Sequence, residues 1–240
     1  MHKYEYMNKI SGLLKVIEST NLEAIEILSN KFAQNIMDDK IIHTFGTGHS
    51  NIIGIELFAR AGGLGNINAI LDPDVSISNG ARRGSEVEHV SGLADVIYNN
   101  YKIEKGDIMI IVSNSGRNAV PIEMAQRCKK EGVYTVALTN VYQSKNSTSR
   151  HSSGERLFEI VDCVLDNCIP VGDSMMSVNN INFGPASSIA CIFLLNTIIS
   201  EAIKICDSKG FRPYVFQSQN IDGYDNNSIY TKYENRIKFY

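Results

Sequence analysis

The sequence predicts an α/β fold in which helices cover both faces of a parallel sheet. Apolar runs rich in β-branched residues, such as 108–112, alternate with segments such as 119–131 that carry apolar residues at helical spacing. A continuous apolar run, rather than an alternating one, is typical of a strand buried on both faces. Strands that alternate with helices favour parallel pairing through crossover connections.

The N-terminal segment is predicted to be helical. Its apolar residues, from Ile10 to Ile36, follow a three- and four-residue rhythm over 4–38, with a weak point at Thr20 and Asn21. The pattern fits one long helix or two consecutive ones. It is equally compatible with a helix that packs on the sheet of its own subunit and with an arm that forms a dimer.

The remaining elements follow in a regular order. Strands are predicted at 41–45, 67–71, 108–112, 134–138 and 163–165. Helices are predicted at 51–61, near 93–101, at 119–131 and at about 184–206, where Pro185 suits a first helical turn. Two polar stretches, 78–88 and 142–156, are predicted as loops, and the tail from residue 211 has no clear period.

Composition excludes several classes of protein. A net charge of −3 over 240 residues provides no basic field for a nucleic acid. The five cysteines are an odd number without a CxxC pair, so neither a disulfide framework nor a metal site is predicted. The N-terminus lacks the apolar core of a secretory signal, and we expect a cytoplasmic protein. The uncharged stretch 174–200 contains asparagines and Pro185, which favours a buried helix over a membrane span.

Two predicted strands run directly into short polar turns that lead to helices. The first turn is 46–50 (Gly-Thr-Gly-His-Ser) and the second is 113–118 (Ser-Asn-Ser-Gly-Arg-Asn). In a doubly wound sheet both turns lie at the carboxyl edge, where free backbone N–H groups and hydroxyl donors suit a phosphate. The same spacing resembles the start of a dinucleotide fingerprint, with Asp72 as ribose acceptor, but Asn51 stands at the third glycine.

Together, segments 45–50 and 113–118 resemble the two phosphate turns of the SIS (sugar isomerase) domain family. The second turn of that family typically reads Ser-x-Ser-Gly followed by Thr or Ser, and Asn118 stands at the last position here. The order of the elements and the Gly-Pro-Ala-Ser-Ser segment at 184–188 extend the resemblance over nearly the whole chain. Segments 151–154 and 170–173 are most similar to a branch of single-domain SIS proteins.

The resemblance implies a flavodoxin-like α/β/α sandwich with a parallel sheet, preceded by an N-terminal helical segment. It implies a single domain over 1–240, with helices at 1–38, the sandwich at 39–210 and a tail at 211–240. The expected ligand is a phosphorylated sugar or amino sugar, and the expected assembly is a homodimer or homotetramer. No cofactor, metal, nucleic acid or membrane is expected to take part.

The family's phosphate contacts carry over to six positions of the two turns. These are Gly48, Ser50, Ser113, Ser115, Gly116 and Asn118. Further substrate contacts are expected at His49, Asn114, Arg117 and Ser187. The alternative for the serines and Asn118 is that they cap the helices that follow.

Interconversion of an aldose phosphate and a ketose phosphate requires a base for the proton α to the carbonyl and an acid for ring opening. Glu88 is the first choice for the base and Glu86 the second, because both lie in the polar stretch that relatives place near the sugar. Two residues apart, they would share one side on an extended segment but not on a helix, so we expect one of them to face the ligand. Glu56 is a third carboxylate, and His151 is the candidate acid, supplied by the same chain or by a neighbouring subunit.

The sequence therefore predicts a phosphosugar isomerase that works by α-proton abstraction. A phosphosugar etherase, lyase or deaminase would share the first step. The pattern is also compatible with a phosphosugar sensor without catalysis and with a nucleotide-dependent oxidoreductase.

Overall fold

A five-stranded parallel sheet lies at the centre of the structure, a computed structural model that describes residues 3–239. Its strands are β1 (Ile42–Gly46), β2 (Ile67–Ala69), β3 (Ile108–Val112), β4 (Tyr134–Thr139) and β5 (Cys163–Asp166). Their order is β2-β1-β3-β4-β5, with every neighbouring pair parallel. This arrangement confirms the predicted flavodoxin-like α/β class.

The helices connect and cover these strands. They are α1 (Glu5–Met37), α2 (Asn51–Leu57), α3 (Ala81–Val87), α4 (Leu93–Asn99), α5 (Ala119–Lys130), α6 (Val141–Lys145), α7 (Leu157–Ile160), α8 (Ser187–Ser208) and α9 (Asn227–Tyr233). A 3₁₀ turn lies at Ile77–Asn79, and a small antiparallel hairpin, β6 (Met176–Val178) and β7 (Ile181–Phe183), precedes α8.

Alternate residues of β3 enter the two layers of the core. Ile108, Ile110 and Val112 pack with residues of α1 and α8 on one face of the sheet. Met109 and Ile111 pack with residues of α4 and α5 on the other face. Burial on both faces explains why this strand reads as an unbroken apolar run. Each fully buried side chain of this size contributes about 1.5–3 kcal/mol to folding.

Helix α1 is a single helix of 33 residues, which continues through the weak point in the sequence pattern. Asn21 is buried there, and its side chain donates to the carbonyl of Asp166 at 2.9 Å and accepts from the N–H of Asp166 at 2.8 Å. The polar residue therefore joins α1 to the end of β5. The structure thus favours a helix that packs on its own sheet.

Helix α8 is long and apolar enough to cross a membrane by length and composition. Its residues Leu194, Leu195 and Ile198 are fully buried in the cluster that also contains α1 and the sheet. This packing agrees with the prediction of a buried core helix.

Several short elements differ from the sequence prediction. The stretch 78–88, predicted as a loop, contains α3, and the stretch 142–156 begins within α6. Helix α2 and strand β2 are shorter than predicted. The β6–β7 hairpin was not predicted, and its turn places Asn179 and Asn180 at φ 47° and 64°, a conformation that asparagine tolerates.

The tail from residue 211, which shows no clear sequence period, packs at the amino edge of the sheet. Ile229 and Tyr233 of α9 form an apolar cluster with Ile41 and Phe216. Arg236 pairs with Asp107, which is fully buried, at 2.7 Å. The tail is therefore an integral part of the fold, at the edge opposite the two polar turns.

Candidate functional site

The two polar turns lie side by side because β1 and β3 are neighbours in register. Gly46 pairs with Val112, so both strands end at the same level of the carboxyl edge. Gly48 and Gly116 adopt φ values of 56° and 57°, which lets each chain reverse into its helix. A Cβ on Gly116 would lie 3.0 Å from the Ser144 hydroxyl and 3.2 Å from the Leu157 side chain. The second turn therefore requires glycine at that position.

Glu88 joins the two turns. Thr47 donates to one of its carboxylate oxygens at 2.8 Å, and the Asn118 amide donates to the other at 2.7 Å. The carbonyl of Glu88 also accepts the N–H of Val120 at 3.2 Å. On the outer side, the Arg150 guanidinium donates to the Asn118 amide oxygen at 3.3 Å and lies 3.0 Å from His89 Nε2. The carboxylate is thus fixed between the turns.

The turn residues do not cap their helices. Ser50 and Asn118 occupy the N-cap positions of α2 and α5, yet neither side chain accepts a hydrogen bond from its helix. The Ser113 hydroxyl instead accepts the N–H of Gly116 at 3.2 Å. Within residues 3–239 the backbone N–H groups of Ser115 and Arg117 have no hydrogen-bond partner. Unpaired donors two residues apart in one turn suit an anion.

A cavity of about 390 Å³ opens beside these turns. His49, Ser50 and Asn114 line its turn side, and the segment before and within the start of α8 lines the other side through Asp173, Pro185, Ser187, Ser188 and Cys191. Of the residues that the sequence predicts as contacts, His49, Ser50, Asn114 and Ser187 border this space. Its volume is in the range of small-molecule sites.

Asn114 is oriented by a residue that sequence reasoning missed. The amide of Asn167, which is fully buried after β5, donates to the Asn114 amide oxygen at 2.6 Å. The oxygen of Asn167 is in turn 3.4 Å from the N–H of Ile169. Because its oxygen is occupied, Asn114 has its NH₂ group left to donate to a ligand.

Asp173 forms the opposite wall and caps α8. One carboxylate oxygen accepts the N–H groups of Ala186 and Ser187, both at 2.9 Å, and the other accepts the Ser187 hydroxyl at 2.6 Å. The side chain thereby satisfies the first free donors of this helix. Cys191, one turn further on, is buried, and burial raises the pKa of its thiol to about 12.

The other predicted residues lie outside the cavity lining. Glu86 is exposed in α3 and pairs with Arg82 at 3.2 Å, while Glu56 in α2 pairs with Arg60. Glu86 lies within α3 and Glu88 is its C-cap, so the two carboxylates do not share one side, and Glu88 is the one that lies between the turns.

His151 lies beside α5. Its Nε2 is 3.4 Å from the Glu123 carboxylate and its Nδ1 is 2.9 Å from the Ser153 hydroxyl. Arg117 donates to the Thr148 hydroxyl at 3.1 Å. Among the described residues, no group of three or more His, Cys, Asp or Glu side chains could hold a metal ion.

Comparison with known protein families identifies the family of this chain. The sequence model of the SIS domain matches residues 5–140, which is more than half of the chain. The chain belongs to the SIS domain family. The resemblance seen in the two turns is thereby confirmed.

Relatives of this SIS domain match it over almost its full length. A UPF0309 protein of Caldanaerobacter subterraneus subsp. tengcongensis is 37% identical over 240 residues, which covers 97% of this chain and 98% of the relative. A UPF0309 protein of Halalkalibacterium halodurans is 35% identical over 236 residues, with 97% and 94% covered. The chain is therefore also a member of the UPF0309 group.

Solved structures support the same fold at low sequence identity. A phosphoheptose isomerase from Neisseria gonorrhoeae aligns with a TM-score of 0.52 and 14% identity, covering 81% of this chain and 94% of that one. A Bacteroides fragilis protein assigned as a phosphosugar isomerase involved in capsule formation gives a TM-score of 0.52 and 15% identity, covering 85% and 88%. At such identities the likeness shows that the SIS fold is shared.

Sequence reasoning missed four residues around this SIS site: Thr47, Arg150, Asn167 and Asp173. Asn167 follows the last strand of the sheet, so its position at a carboxyl end could have indicated it. Thr47 lies inside the first turn. The sequence contains no comparable signal for Arg150, whose contact with Asn118 depends on how the 142–156 segment folds.

Proposed function

We propose that this SIS domain binds a phosphorylated sugar or amino sugar and catalyses aldose–ketose isomerisation by α-proton abstraction. The observation that carries the proposal is the Glu88 carboxylate held between two donor-rich turns. The same turns border, through His49, Ser50 and Asn114, a cavity large enough for a sugar. Membership of the SIS family and the fold shared with a phosphoheptose isomerase support the same ligand class.

In this proposal the phosphate lies against the two turns. Ser50, Ser113 and Ser115 supply hydroxyl donors, and the free N–H groups of Ser115 and Arg117 supply backbone donors. The backbone at Gly48 and Gly116 permits close approach. Asn118 has protein partners at both ends of its amide, so its contribution is to hold Glu88 in place and to exchange partners when phosphate binds.

The sugar then extends into the cavity. Asn114, oriented by Asn167, donates to a sugar oxygen, and His49 lies at the same side. Ser187 borders the far side, where its hydroxyl already donates a hydrogen bond to Asp173. The ring or open chain would thus contact neutral donors near the phosphate and acceptors further away.

Glu88 is proposed as the base that removes the C2 proton. Each of its oxygens accepts one hydrogen bond in the structure, which leaves a second lone pair on each for a proton. Glu86 remains the second choice. His151 lies outside this cavity and pairs with Glu123, so its proposed acid role in ring opening would take place in the site of a neighbouring copy.

Solvent exchange tests this function directly. The protein is incubated in deuterated water with fructose 6-phosphate, glucosamine 6-phosphate or N-acetylmuramic acid 6-phosphate. Deuterium is measured by NMR at C1 of fructose 6-phosphate and at C2 of the two aldoses, the positions that carry the proton α to the carbonyl. Isomerisation predicts exchange and formation of the partner sugar, whereas elimination predicts exchange and loss of the C3 substituent. Ligand-induced thermal stabilisation without any exchange would contradict the enzymatic proposal and favour a sensor.

The assembly and the location remain predictions. We propose a homodimer or homotetramer of single-domain chains and a cytoplasmic location. The five cysteines are all free thiols, which fits a reducing compartment.

A further inference from the structure

The wall of the cavity opposite the two turns carries the negative charge of Asp173. Asp173 is half-buried there and forms no ion pair within residues 3–239. From Ser174 to Ser200 the chain has no charged residue, so the wall formed by α8 provides no cation to balance this carboxylate. The other ionisable groups that border the cavity are His49, on the turn side, and the neutral thiol of Cys191.

The same carboxylate removes the anion-binding capacity of α8. A free helix N-terminus attracts anions through its unpaired N–H groups and the helix dipole. Here the N–H groups of Ala186 and Ser187 both donate to Asp173, and so does the Ser187 hydroxyl. An anion that approached this end would meet a negative charge in place of free donors.

The two ends of the cavity therefore differ in charge and in the hydrogen-bonding groups that they offer to a ligand. The turn end offers the Ser50 hydroxyl and the Asn114 amide, and the turn that contains Asn114 also has unpaired backbone N–H groups at Ser115 and Arg117. The Asp173 end offers a carboxylate with about four acceptor positions, of which three are used, so it can still accept from a hydroxyl or an ammonium group. A second anionic group there would be repelled by this negative charge at short range.

We propose that Asp173 is a specificity-determining residue. It restricts this site to sugar monophosphates in which the end of the sugar remote from the phosphate is neutral or cationic. The inference rests on the proposed function and narrows its substrate class. It admits hexose and amino-sugar monophosphates. It excludes sugar bisphosphates and sugar phosphates that carry a carboxylate, including N-acetylmuramic acid 6-phosphate.

Titration calorimetry on the wild-type protein provides the first test. Fructose 6-phosphate is compared with fructose 1,6-bisphosphate, and with methyl fructoside 6-phosphate as a neutral ligand extended at the far end. We expect the bisphosphate to bind at least about tenfold more weakly than both monophosphates. Equal affinity for monophosphate and bisphosphate would overturn the inference, and so would equally weak binding of the bisphosphate and the methyl glycoside, because size would then explain the selection.

The variant Asp173→Asn tests the charge itself. Asparagine tolerates the φ of 54° at this position, can still accept from Ala186 and Ser187, and can donate to the Ser187 hydroxyl. Asp222→Asn, at an exposed position of the tail, controls for net charge. We expect Asp173→Asn to remove most of the selection against the bisphosphate and Asp222→Asn to leave it unchanged.

The outcomes separate the two claims. Failure of fructose 6-phosphate and glucosamine 6-phosphate to bind the wild-type protein would contradict the proposed function, and the inference would fall with it. Tight binding of both, with selection against the bisphosphate that persists in a folded Asp173→Asn variant, would overturn the inference alone. If that variant does not fold, the three ligands are compared on Glu88→Gln, which removes the other carboxylate proposed to lie near the sugar. Selection against the bisphosphate that persists there would support Asp173, and selection that disappears would overturn the inference.

Discussion

The amide of Asn118 donates a hydrogen bond of 2.7 Å to the carboxylate of Glu88. The bond connects the start of α5 to the residue that follows α3, and Thr47 completes the link from the first turn at 2.8 Å. A carboxylate held on both sides loses little conformational freedom when a substrate binds. The bridge therefore positions Glu88 before any ligand is present.

Replacement of Glu88 by glutamine tests its role as the base. The variant keeps the shape of the side chain and can still accept from Asn118, so we expect the fold to persist. C2 exchange should fall by at least about 100-fold, because glutamine cannot take the proton. Exchange is measured by NMR beside Glu86→Gln, which changes an exposed residue paired with Arg82. Activity in Glu88→Gln and its loss in Glu86→Gln would assign the base to Glu86.

Removal of the two serine hydroxyls tests the phosphate contacts. Each lost charge-assisted hydrogen bond costs about 1.5–3 kcal/mol, so Ser113→Ala with Ser115→Ala should weaken binding of a sugar phosphate by more than tenfold. The matched control is Ser19→Ala with Ser200→Ala, two exposed helix positions. Calorimetry gives the affinities, and a melting curve checks the turn, since Ser113 also accepts the N–H of Gly116. Unchanged affinity would contradict the assignment.

A buried histidine at the opposite edge of the sheet predicts a pH dependence of stability. His43 is fully buried, with Nε2 at 3.1 Å from Asp107 and Nδ1 at 3.0 Å from the Asn68 amide. Burial lowers the pKa of His43 and outweighs the opposing effect of Asp107. Burial alone would raise the pKa of Asp107, but its hydrogen bonds, first that from His43, hold this pKa below the usual range.

Both shifts make the folded state less stable in acid. As pH falls below about 6.5, the unfolded chain protonates His43 before the folded protein does, so the free energy of unfolding decreases. Below about pH 4 the unfolded chain also protonates Asp107 first. Urea titrations between pH 7.5 and 5.5 should show that the free energy of unfolding of the wild-type protein decreases as the pH falls. The decrease should be smaller in His43→Gln and the same as in the wild type in His89→Gln, a control at an exposed position. An equal change of the free energy of unfolding with pH in all three proteins would contradict the prediction.

The C-terminal tail offers a matched pair of ion-pair variants. Arg236→Gln leaves the buried carboxylate of Asp107 without its cation and should reduce the free energy of unfolding by about 3–5 kcal/mol. Lys232→Gln breaks an exposed pair with Asp39 and should cost less than about 1 kcal/mol. Urea denaturation measures both. Equal effects of the two variants would show that the Arg236 pair does not hold the tail.

Much of the fold could be predicted because its larger elements carry their own patterns. The run at 108–112 is apolar throughout since both of its faces are buried, and it coincides with β3. We predicted that the two turns lie at one edge of the sheet because parallel strands end at the same edge. The pairing of Gly46 with Val112 agrees with this prediction.

The missed elements are those stabilised by distant contacts. Helix α3 has one buried residue, Gly84, so its sequence shows no apolar rhythm. Glu88 could be chosen as the base from the resemblance, but its bonds to Thr47 and Asn118 depend on where α3 ends. Asp173 lies in a segment without helix or strand pattern, and its contacts with the start of α8 arise from tertiary packing.

A crystal structure of the protein with fructose 6-phosphate tests the central claim most directly. The account predicts that the phosphate lies between the two turns, about 3 Å from the hydroxyls of Ser113 and Ser115, with the sugar in the adjoining cavity. C1 and C2, between which the proton moves, should lie next to the Glu88 carboxylate. A phosphate bound elsewhere, with the space between the turns unchanged, would contradict it.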